Sequence, residues 1–83
     1  MGFELFTRVA LKQDFSEHRL RKGDVATVVE KHLGAPGQET GYSLEVFNAV
    51  GETIAVLVVP ESQVEPLFDY EVLHVRPLEM VEA

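Results

Sequence analysis

Hydrophobic and polar positions alternate along most of this chain with a period of two, the pattern of strands that bury one face. From Phe6 to Lys12, Thr7, Val9 and Leu11 fall on one side and Arg8, Ala10 and Lys12 on the other, which predicts a first strand. Asp14 to Lys22 is polar, mixed in charge and holds one aromatic, Phe15, before Gly23. A long structured loop is expected there, ending at a residue that accepts a positive φ without strain. Asp24 to His32 is rich in β-branched residues, with Val25, Thr27 and Val29 opposed to Ala26, Val28 and Glu30, and predicts a second strand. Gly34, Pro36, Gly37 and Gly41 then exclude any regular element and mark the segment expected to be most mobile.

The alternation resumes from Tyr42 to Phe47, where Tyr42, Leu44 and Val46 oppose Ser43, Glu45 and Phe47, so that Phe47 is expected to point outward. Asn48-Ala49-Val50-Gly51 has the form of a type I turn closed by a glycine bulge, and a fourth strand follows from Glu52 to Val59. Its two faces, Ile54, Val56, Val58 and Ala55, Leu57, Val59, are both apolar, which predicts a strand that sits centrally or under another segment. Pro60 to Gln63 fits a single 3₁₀ turn, Val64 to Phe68 a short edge strand broken by Pro66, and Tyr70 to Arg76 one further β-rich run.

Strand, long loop, strand, glycine-rich loop, strand, tight hairpin, strand, helical turn, short strand is the order of an SH3-like small barrel. The expected architecture is therefore all-β, about five strands with one 3₁₀ turn. Residues 1–68 would form the barrel and residues 69–83 a C-terminal extension, an extra strand or a tail. Curling a short sheet over one core suits 83 residues with no cysteine, since neither a second core nor a disulfide framework can be built. The absence of cysteine also makes a cytoplasmic location the expectation. No apolar run approaches the roughly 20 residues of a membrane-spanning helix.

Charge narrows the partners. Fourteen acids against seven bases give −7, a field that repels a phosphate backbone. The imbalance is local in sequence: Met1 to Lys31 holds six bases and five acids, His32 to Ala83 one base and nine acids. No binding to duplex DNA or RNA is expected at physiological salt; a salt-sensitive dissociation constant of about micromolar or tighter in fluorescence anisotropy would contradict this.

His18, His32 and His74 lack the close-spaced partners of a metal site, Ser16, Ser43 and Ser62 stand in no nucleophile motif, and no phosphate-cradling glycine loop precedes a helix. Neither metal nor cofactor is expected, nor catalysis. What is left is a surface for another protein. The candidates are Phe15, His18, Arg19, Arg21 and Lys22 on the first loop, the outward Phe47, and the Tyr70 to Arg76 run, which could also join a second copy of the chain as a strand. Lys22-Gly23-Asp24 before alternating valines has a faint likeness to the KOW motif, giving a nucleic-acid module as an alternative.

Val9-Ala10-Leu11-Lys12-Gln13-Asp14, Glu17-His18, Leu20 to Val25 and Thr27 to Glu30 resemble the front of a family of small bacterial proteins known only as a domain of unknown function. Gly41-Tyr42, Gly51 to Val56 and Pro60 to Gln63 resemble its back, so the likeness runs from about Phe6 to Leu67. It implies an SH3-like barrel similar to that of the nitrile hydratase β subunit. It also implies a binding role, as the neutralising partner of a toxin or as an accessory barrel of an enzyme. Arg19 and Ala26 stand where the family pattern carries glycine.

Overall fold

The computed structural model describes residues 2–78. Five antiparallel strands form one sheet: β1 (Arg8–Leu11), β2 (Val25–His32), β3 (Gly41–Phe47), β4 (Thr53–Pro60) and β5 (Val64–Pro66), in the order β4-β3-β2-β1-β5. Their succession along the chain is the one that the alternation and the breakers predict. There are two 3₁₀ turns rather than one, Ser16–His18 inside the first loop and Glu61–Gln63 between β4 and β5.

The sheet cannot be flat. Four strand spacings would hold β4 and β5 about 19 Å apart, yet their connection is a three-residue 3₁₀ turn, which advances only about 6 Å. The sheet therefore curls until its two edge strands approach, and Leu57 and Val59 of β4 reach the same core as Val64 of β5. Val9, Leu11, Ala26, Val28, Tyr42, Leu44, Val46 and the loop residue Leu20 complete that core. Between β4 and β5 the sheet stays open, with no ladder joining them among the described residues.

Two turns explain the register. Asn48 accepts the Gly51 N–H on its carbonyl at 3.0 Å, and its side-chain oxygen accepts the N–H groups of Val50 and Glu52. Gly51 takes φ +87, where a Cβ is strained, and the ladder slips by one residue just before Phe47. This is the bulged hairpin that the sequence predicts. In the glycine-rich loop, a Cβ on Gly34 would lie 2.5 Å from the carbonyls of Gln38 and Glu39. Glu39 in turn accepts the Ser62 N–H at 2.8 Å and its hydroxyl at 3.1 Å, tying this loop to the second 3₁₀ turn.

One expectation is corrected, and two positions that the alternation leaves open are settled. β4 is an edge strand, not a central one, and while Leu57 and Val59 are buried, Ile54, Val56 and Val58 face solvent. Of the two alternatives for the C-terminal extension, an extra strand or a tail, Tyr70 to Arg76 takes the second, an extended tail lying across the outer face of the sheet. Ala10 is buried although it points away from the core, because it lines a groove that the tail covers.

Candidate functional site

The first loop folds into a small closed unit. Phe15 and Leu20 exchange backbone hydrogen bonds of 2.9 and 3.1 Å, and Arg19 between them adopts φ +60. Arginine thus holds a left-handed conformation that glycine would take freely, at a strain of about 1 kcal/mol. Leu20 is buried and Phe15 packs against the core at partial exposure, so the loop's aromatic serves to seat the loop. His18, Arg19, Arg21 and Lys22 stay exposed. The backbone beneath them is held by carboxylates: Arg21 N–H donates to Asp24 at 2.7 Å and Lys22 N–H to Asp14 at 2.9 Å.

Asp24 also holds the tail. Arg76 donates from Nε to Asp24 Oδ1 at 3.0 Å and from Nη2 to Oδ2, and Nη2 reaches the Arg19 carbonyl at 3.2 Å. The two side chains are 20 % and 18 % exposed, a forked, largely dehydrated pair. The hydrogen bonds it donates to Asp24 raise the guanidinium's pKa above its ordinary value, with desolvation opposing them. Between the tail and the sheet runs a groove of about 830 Å³. Phe47 lines it opposite Gly23 and Asp24, so the base of the first loop and the outward Phe47 share one surface, whereas His18, Arg19, Arg21 and Lys22 lie outside it.

Beyond that groove, on the other side of Phe47, lies β4. Glu45 pairs with Val56 and Ser43 with Val58, which places both valines on the outer face; they are 58 % and 66 % exposed, and Phe47 is 43 % exposed. Among the described residues, no strand pairs with the outer side of this edge. Just past the Gly41 and Pro60 pair, Glu61 N–H donates to the Thr40 carbonyl at 2.8 Å. Because hydrogen-bonded pairs alternate along an antiparallel ladder, Val59, Leu57 and Ala55 turn their polar groups toward β3, and Val56 and Val58 turn theirs away from it. Ile54 sits in the bulge at one end of this stretch and Pro60, without an N–H, at the other. The opposite edge is guarded differently: β5 is three residues long and contains Glu65 and Pro66.

One contact of chemical interest went unread in the sequence. His32 Nε2 and Ser43 Oγ are 2.7 Å apart, with Ser43 buried and Glu30 Oε1 3.9 Å from the same nitrogen. A serine and a histidine at this distance resemble a nucleophile and its base, but a triad needs its acid on the other ring nitrogen, Nδ1. Here the carboxylate and the hydroxyl share Nε2, and the arrangement is a cross-strand hydrogen bond on the outer face. The contact joins two strands across a glycine-rich loop, 11 residues apart in the chain, so no local spacing announces it. Among the described residues no three His, Asp or Glu side chains are placed to hold a metal, and no helix is long and apolar enough to cross a membrane.

A family model described as a domain of unknown function (DUF4926) matches residues 5–66, more than half of the chain. No curated protein and no solved structure matches.

Proposed function

The chain belongs to the DUF4926 family, a domain of unknown function, and from its surface we propose that it is a non-catalytic module that binds another protein through the outer face and free edge of β4. The observation that carries this reading is Val56 and Val58, exposed apolar side chains on an edge strand whose outward-turned backbone groups meet no neighbouring strand among the described residues. Natural sheets blunt such edges with charge, proline or cover. In this chain β5 is blunted and the middle of β4 is not. A strand left open in this way fits a partner that supplies the missing neighbour, and Phe47 beside it adds an aromatic contact of the kind enriched in protein interfaces.

The test compares two surfaces. A tagged chain is used to capture partners from its native host, and the captured protein is identified, purified and titrated by calorimetry. Val58→Lys is expected to weaken that binding by about 2 kcal/mol or more, and an Arg19→Glu, Arg21→Glu double variant by less than about 0.5 kcal/mol. If Val58→Lys binds as the parent does and the loop variant does not, the basic loop is the interface and the β4 reading is lost.

A further inference from the structure

From the same edge we infer the chemistry of its occupant: a short extended segment of another protein, apolar at alternate positions and carrying lysine or arginine between them, which adds to β4 as a sixth strand. The inference rests on the β4 reading and adds the partner's charge. Its length follows from the ends of the edge, since the bulge at Ile54 and the proline at 60 leave room for about five residues of pairing.

The charge follows from what surrounds the edge. Glu45 lies on the outer face directly across from Val56 and accepts a hydrogen bond from Thr53. Glu52 stands at the hairpin end and Glu61, with Glu39 nearby, at the other. From His32 to Leu78 the sole base is Arg76, and it is engaged by Asp24. An incoming strand therefore meets apolar side chains flanked by carboxylates. A second copy fits badly. Pairing two β4 edges about Val56 sets Glu52 of each copy opposite Pro60 of the other and beside its Glu61, and like charges brought close across a sheet are destabilising. A basic strand turns the same carboxylates into attraction, which also speeds encounter.

Two blocked synthetic peptides test this, one alternating valine with lysine and the other valine with glutamate, each titrated into the full chain while backbone amides are followed by NMR. The lysine peptide is expected to shift the Val56 and Val58 amides and protect them from hydrogen exchange. It should bind at least about tenfold more tightly than the glutamate peptide at low salt, with the gap narrowing as salt rises. Val58→Lys, at an exposed position, should keep the parent melting temperature and lose the peptide. Equal binding of both peptides at the β4 amides overturns the charge assignment and leaves the edge reading standing. Protection of the same amides by concentration-dependent dimerisation, seen in sedimentation without peptide, overturns the choice of occupant. If neither peptide moves the β4 amides, the partner class and the edge reading fall together.

Discussion

Replacing Tyr42 with alanine is expected to remove most of the protein's folding stability at room temperature. Tyr42 on β3 is the largest fully buried side chain, and Phe3 meets its ring edge-on at a centroid distance of 5.5 Å. Its hydroxyl accepts the Phe3 N–H at 2.9 Å and donates to Glu61 at 2.8 Å, so one side chain joins the N-terminal segment, the core and the second 3₁₀ turn. Truncating a buried aromatic costs about 3 to 5 kcal/mol, against the roughly 5 kcal/mol at which small domains begin. Tyr42→Phe keeps the ring and loses the two hydrogen bonds, for about 1 to 2 kcal/mol. Its pH profile separates it from the parent. Burial first, and then Glu61, raise the Tyr42 pKa, with the Phe3 N–H opposing them. The folded state thus holds the phenolic proton where the unfolded chain, at about pH 10, releases it. That contribution is complete below pH 10 and is lost as pH climbs through the higher folded-state value. Urea melts at rising alkaline pH should show the parent losing stability faster than Tyr42→Phe; parallel slopes would contradict the assignment.

All five strands were legible because burial on one face imprints a period of two, and the ends of each lie within one or two residues of where the alternation stops. The hairpin at Asn48 to Gly51 was legible for a related reason: a local turn is specified by the residues within it. β4 shows where such reasoning stops. Two apolar faces mean burial on both sides only when something covers the second, and whether a neighbour does so is decided by the order of strands in the sheet. Here the cover is absent over Val56 and Val58, and the pattern that suggests a central strand marks an exposed surface.

The surface was half legible for the same reason. Phe47 faces outward as its alternation predicts, and the exposed bases of the first loop were visible as a cluster. Phe15 reads as part of that cluster, yet the bridge to Leu20 turns it toward the core. The β-branched content of Tyr70 to Val75 suggests a strand, but strand propensity is realised only against a partner edge, and the tail lies against the face of the sheet instead. What orders it is a pair of charges 52 residues apart, a separation that no local pattern reports.

That pair carries the second large effect. Asp24 is a joint: its carboxylate receives the fork of Arg76 from the tail and the Arg21 N–H from the first loop, while its own N–H donates to the Arg21 carbonyl at 3.0 Å. Asp24→Ala removes both side-chain functions and strands a guanidinium that is 20 % exposed, for an expected loss of about 2 to 3 kcal/mol. Arg76→Ala leaves Asp24 with the loop amide and should cost less, about 1 to 2 kcal/mol. Residual exposure and salt keep the coupling below the 3 to 5 kcal/mol of a fully buried pair, at about 1 to 2 kcal/mol in a double-mutant cycle at low salt. In a domain this small each kcal/mol moves the melting temperature by about 4 to 8 °C, so the cycle is measurable by calorimetry. Because Arg76 is the tail's charged link to the sheet and first loop, either single variant should also speed amide exchange at Val75 and Arg76 while leaving β3 protected. Additive single variants, or unchanged exchange in the tail, would mean that apolar contact rather than this ion pair holds the tail across the sheet.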